Sequence, residues 1–90
     1  MKIKVCVYED GFGVLTDPIW QSIHKKIHQK QIEVSFAPQI GMSLDILSFK
    51  DDFYLTEEEV FAFENTLNSD IPEIKEIYLN KNYIEIWIRE

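Results

Sequence analysis

Two histidines, His24 and His28, stand four residues apart in a segment with helical periodicity, a spacing that lets two imidazoles face one metal ion. Zinc asks for a third or fourth ligand, and no cysteine lies nearby in the sequence to supply one. The apolar positions of the same segment are Ile19, Trp20, Ile23 and Ile27. At about 100° per residue His24 falls at the edge of that stripe and His28 well round on the solvent side. The pair is therefore expected as surface histidines on a basic patch with Lys25, Lys26 and Lys30, with no metal bound. A metal site on His24 and His28 is the minor reading.

Cys6 could act as a nucleophile with either histidine as base, since such pairs are spatial rather than sequential. It sits in mid-strand, where no helix N-terminus or neighbouring motif lowers its pKa, and a structural thiol is the expectation. Gly11-Phe12-Gly13 lies between a strand and a helix, as phosphate-cradling turns do. It lacks the third glycine of the dinucleotide fingerprint and the lysine-serine pair of a P-loop. Glu9, Asp10 and Asp17 around it would repel phosphate, so the glycines are assigned to a tight turn. Asp51, Asp52 and the glutamates that follow could pair as acid and base. Carboxylates in the first turn of a helix already have a simpler reason, because they complement the helix dipole. No catalytic residue and no cofactor is expected.

These side chains are carried by a regular series of elements. Residues 2–9 alternate strictly, with Ile3, Val5 and Val7 on one face and Lys2, Lys4, Cys6 and Tyr8 on the other, which predicts a half-buried strand. Asp17 before Pro18 predicts a capped helix start, and the helical spacing runs to about Lys30. IEVSFA, with Ile32, Val34 and Phe36 inward, reads as a second strand. MSLDIL (Met42, Leu44, Ile46) reads as a weaker strand, with a helical turn over 42–49 as the alternative. Thr56 with Glu59 forms a capping box that opens a second helix through Val60, Phe63 and Leu67. After Asp70-Ile71-Pro72, IKEIYLN and YIEIWIRE flank Lys81-Asn82 as a terminal hairpin, with Ile84, Ile86 and Ile88 alternating against Glu85, Trp87 and Arg89.

The order strand-helix-strand-strand-helix-strand-strand predicts a single α+β domain over 1–90: a two-layer sandwich with both helices on one face of a mostly antiparallel or mixed sheet. The first six elements match the split-βαβ, ferredoxin-like order. Fold order alone carries no function.

The 90 residues are 46% hydrophobic and 28% charged, an ordinary globular composition that argues against wholesale disorder. Cys6 is the only cysteine, which excludes an internal disulfide scaffold. The first ten residues turn acidic too soon for a secretion signal, and no apolar run approaches the roughly 20 residues of a membrane span. A cytoplasmic protein is the expectation. The net charge of −7 is unevenly placed. Residues 1–45 carry five basic and five acidic groups, whereas 46–90 carry four and eleven. Its densest part, 51–64, holds Asp51, Asp52, Glu57, Glu58, Glu59 and Glu64 and no basic residue. Such a field repels phosphate backbones and attracts basic proteins, so no direct nucleic-acid binding is expected.

Two surfaces remain as sites. On the acidic stretch, Phe61 falls roughly 130° from the centre of the Val60, Phe63 and Leu67 stripe and is expected at the surface among Asp51, Asp52, Glu57 and Glu58. On the outer sheet face, Tyr8, Tyr78, Tyr83 and Trp87 match the composition of an interface, or of cross-strand pairs that only stabilise the hairpin. The leading expectation is a small acidic, non-enzymatic protein-binding module, an inhibitor or immunity-type protein docking on a basic partner. The alternatives are a small metal- or ligand-binding regulatory domain using His24 and His28, and a homodimer or larger homo-oligomer closed through the aromatic sheet face.

Overall fold

The computed structural model describes residues 1–13, 16–66 and 71–90. Its elements run β1 (Lys2–Val7), α1 (Pro18–Ile27), β2 (Lys30–Glu33), a 3-10 turn (Ile46–Phe49), α2 (Glu57–Thr66), β3 (Glu73–Leu79) and β4 (Ile84–Arg89). The four strands form one mixed sheet in the order β2-β1-β4-β3. β1 pairs antiparallel with β2 and parallel with β4, from Ile3 opposite Ile84 to Val7 opposite Ile88. β3 and β4 form the terminal hairpin, closed by the Asn80 N–H on the Tyr83 carbonyl at 3.0 Å around Lys81-Asn82.

Alternation along the strands decides which face is covered. Ile3, Val5, Val7, Ile32, Ile74, Ile86 and Ile88 share one buried core with Trp20, Ile23 and Ile27 of α1 and Phe63 of α2. The α+β sandwich follows: both helices bury their apolar sides against one sheet face. α1 starts where Asp17 Oδ1 accepts the Ile19 N–H at 2.9 Å, with Pro18 in the first turn. It stops at Ile27, three residues before the expected end, because His28 caps it with extended backbone and Gln29 turns left-handed (φ 66°). The Gln29 N–H then bonds the Val5 carbonyl at 2.7 Å, which sets Lys30 opposite Val5 and starts β2. β2 consequently spans Lys30–Glu33 rather than 32–37, although Val34 stays buried and Phe36 half-buried.

The segment 42–49 supplies no strand of the sheet. Ser43 bridges Glu73, and Met42 and Leu44 bond Ile74 and Pro72, after which the chain tightens into the 3-10 turn. Asp45 is a poor strand former, and its side chain accepts the Ser48 hydroxyl at 2.8 Å, a local bond that competes with a ladder. The helical-turn alternative is the observed one, and the split-βαβ reading thereby lacks its third strand while the two-layer class stands. Phe12 and Phe53, both on connections, complete the core from its open side.

The second helix is also rotated relative to its expected face. Glu59 and Phe63 are buried and Val60 only half-buried, while Leu67 lies outside the described residues. The capping box forms as expected: the Thr56 N–H donates to Glu59 at 2.8 Å, and the Glu59 N–H to Thr56 Oγ1 at 3.2 Å. The same carboxylate also reaches α1, where Lys26 Nζ (2.5 Å) and Ser22 Oγ (2.8 Å) donate to it. A buried acid needs such partners, and meeting them turns the helix toward α1. Burial raises the Glu59 pKa, but hydrogen bonds from Lys26, the Thr56 N–H and Ser22 outweigh it and leave the carboxyl below its ordinary range.

Candidate functional site

The helix rotation that buries Glu59 leaves Val60 and Phe61 on the outer side. Phe61 is 64% exposed. With Val60 and Leu55 it forms the apolar floor of a groove of about 350 Å3 whose rim carries Asp51, Glu57 and Glu64, together with Lys50. Asp52 and Glu58, also exposed, stand next in sequence to that rim. None of the side chains of Asp51, Asp52, Glu57, Glu58 or Glu64 makes a hydrogen bond or ion pair among the described residues. The structure thus divides the acids of 51–64 by role. Glu59 is consumed by the helix cap and the cross-helix pair, and the other five face solvent. Of the aromatics in this stretch Phe53 and Phe63 are core, whereas Tyr54 and Phe61 are surface. Tyr54 holds a left-handed backbone (φ 56°) under Lys30, whose ammonium stands 4.8 Å from its ring centre.

The outer sheet face carries its expected residues, and two of them pack on each other. The Tyr8 and Trp87 rings lie 5.2 Å apart, and Arg89 covers Tyr8. Trp87 Nε1 donates to Glu85 at 2.8 Å, Tyr78 donates to Glu76 at 2.5 Å, and Lys4 lies over Tyr83. Desolvation, reinforced by the hydrogen bond to Glu76, pushes the Tyr8 phenol up to about 12. Hydrogen bonds from Tyr78 and Tyr8 lower Glu76 in turn. Cross-strand pairs of this kind stabilise a sheet whatever else they do. Trp87→Ser should therefore cost about 1–2 kcal/mol, against the 3–5 of a fully buried aromatic. Chemical denaturation measures it, and a loss of about 4 kcal/mol or more would place Trp87 in the core.

The histidines are less free than a basic surface patch implies. His24 is half-buried, and its Nε2–H donates to the Phe12 carbonyl at 2.8 Å. His28 is exposed overall, yet its Nδ1 accepts the Val7 N–H at 3.0 Å, a strand donor left over where β2 begins too late to reach it. The patch itself is split. Lys26 joins Glu59 and the Tyr54 carbonyl, and Lys30 covers Tyr54, which leaves Lys25 beside the imidazoles. Among the described residues no group of three or more His, Cys, Asp and Glu side chains is placed to hold a metal ion. Cys6 is buried, and its thiol is raised first by burial and then by Glu85, the opposite of an activated nucleophile.

Sequence reasoning missed the Lys26–Glu59 pair and the backbone bonds of both imidazoles. The first left only a partial signal, an acid four residues before the inward Phe63; the others left none, because main-chain partners have no sequence signature. Among the described residues no helix is long and apolar enough to cross a membrane. No protein-family model, no curated protein and no solved structure matches this chain at a significant level.

Proposed function

We propose that this protein is a small non-enzymatic binding module, of inhibitor or immunity type, that docks its acidic groove on a basic surface of a partner protein. The observation that supports this reading best is Phe61: a large apolar side chain held in solvent, on an apolar floor, beside carboxylates that make no ion pair among the described residues. An exposed aromatic inside a polar rim is how interfaces concentrate their binding energy. The unpaired acids supply the long-range field that steers a basic partner into place.

The test separates the two parts. Once the partner is captured, stopped-flow mixing at two ionic strengths compares the wild type with the Asp51→Asn, Asp52→Asn, Glu57→Gln, Glu58→Gln variant. The variant should associate more slowly and lose less rate on added salt, since screening acts only on charges that are present. Its folding should barely change, because exposed charges contribute little to stability. Phe61→Ala should instead raise the dissociation rate by about tenfold or more, as interface anchors do. Equal association rates and equal salt slopes for wild type and quadruple variant would reduce the acids to a solvated helix start.

A further inference from the structure

A second groove lies away from the acidic surface, at the carboxyl ends of the parallel strands β1 and β4. Its volume is about 570 Å3, within the range of about 300–1,000 Å3 typical of small-molecule sites.

Trp87 forms an apolar wall, and its one polar atom is already bonded to Glu85. The two imidazoles beside it are oriented by the main chain. Because His28 Nδ1 accepts the Val7 N–H, its Nε2 carries the proton and remains as a donor. Because His24 Nε2 donates to Phe12, its Nδ1 remains as an acceptor in the neutral ring. Exposed Glu9 and Lys25 line it with opposite charges, beside the neutral Gln21. Neither Glu9 nor Lys25 makes an ion pair or hydrogen bond among the described residues, and they are not paired with each other.

We propose that this groove binds a free aromatic α-amino acid, with its ring against Trp87, its carboxylate toward Lys25 and the His28 Nε2–H, and its ammonium toward Glu9. A simple carboxylate would leave Glu9 repelling it, and a simple amine would meet Lys25. A ligand carrying both charges satisfies both side chains, and the indole wall asks for a planar apolar body. The groove is open, so binding is weak and selectivity lies in the charge pattern.

The experiment is a titration of the 15N-labelled chain with L-phenylalanine, 3-phenylpropionate, 2-phenylethylamine and glycine, following the Val7 amide and the Trp87 indole N–H by NMR. L-phenylalanine should give saturable shifts at these two positions with a Kd of about 1–10 mM. Each of the other three should bind at least about fivefold more weakly, the effect of one exposed charge contact or of the ring. Glu9→Gln should bring L-phenylalanine down to the level of 3-phenylpropionate, and Lys25→Met down to that of 2-phenylethylamine. Unchanged amide positions in the core would show that both variants remain folded. Equal affinity for 3-phenylpropionate, for 2-phenylethylamine or for glycine would overturn the assignment of Glu9, of Lys25 or of Trp87 respectively, and with it the ligand class. No saturable shift up to about 50 mM L-phenylalanine would remove the site altogether.

Discussion

Gly13→Ala should lower the unfolding free energy by about 3–5 kcal/mol, a large part of the roughly 5–13 kcal/mol that a 90-residue domain commands. Two costs add at this position. Gly13 has φ +79°, where a side chain is strained by about 1–3 kcal/mol. A Cβ there would also run into the Trp20 ring, which packs against Phe12 and Phe63. Overpacking of this kind costs about 1–3 kcal/mol more. Gly41 provides the internal comparison, for it has φ +88° and open space within 4 Å of the same hypothetical atom. Gly41→Ala should therefore show the backbone strain alone, about 1–3 kcal/mol. Urea unfolding of the two variants isolates the steric part. Equal losses at both positions would mean that Trp20 yields, and that the loop after β1 is not held against α1 by close packing.

Removing the carboxylate that joins the helices is expected to have the next largest effect. Glu59→Ala should cost about 2–4 kcal/mol near pH 7, because it takes away the helix cap, leaves Ser22 and the Thr56 N–H without this acceptor, and leaves Lys26 with only the Tyr54 carbonyl. Glu59→Gln can keep the capping box, since glutamine also serves there, and should cost about 1–2 kcal/mol for the lost ion pair. The pH dependence gives a separate check. The folded state holds Glu59 below its ordinary value of 4.5, so its contribution is present above that pH and is lost as pH falls through the folded-state value. The stability gap between wild type and Glu59→Gln should accordingly narrow in acid, as pH falls below 4.5. Denaturation series at neutral and acid pH measure this. A gap that stays constant across the range would show that the carboxylate gains nothing from Lys26 in the folded state.

Much of the local structure was legible in the residues, and the reason is range. The alternation of Ile3, Val5 and Val7 and of Ile84, Ile86 and Ile88, the Asp17-Pro18 start of α1, the Thr56–Glu59 box and the Lys81-Asn82 turn all depend on neighbours within about four positions, where backbone geometry leaves few choices. The exposure of Phe61 followed from the same periodicity, and the structure places it on the surface. The weak strand over 42–49 marks the limit of that logic. Leu44 and Ile46 are buried as the alternation required, but a strand also needs a partner along its length, and β3 offers one only near Glu73.

What tertiary structure alone decided is which distant groups meet. Periodicity assigns β1 and β4 a face without saying that they lie side by side and parallel. It makes Lys26 and Glu59 solvated charges, whereas the approach of α1 to α2 removes both from most water and pairs them. His28 was placed on the solvent side by its angle on the helix, yet the early end of α1 turns its ring onto the Val7 N–H. The physical cause is common to all three. A polar group's fate is set by whether water or another chain segment satisfies it, and that second segment lies more than twenty residues away in each case.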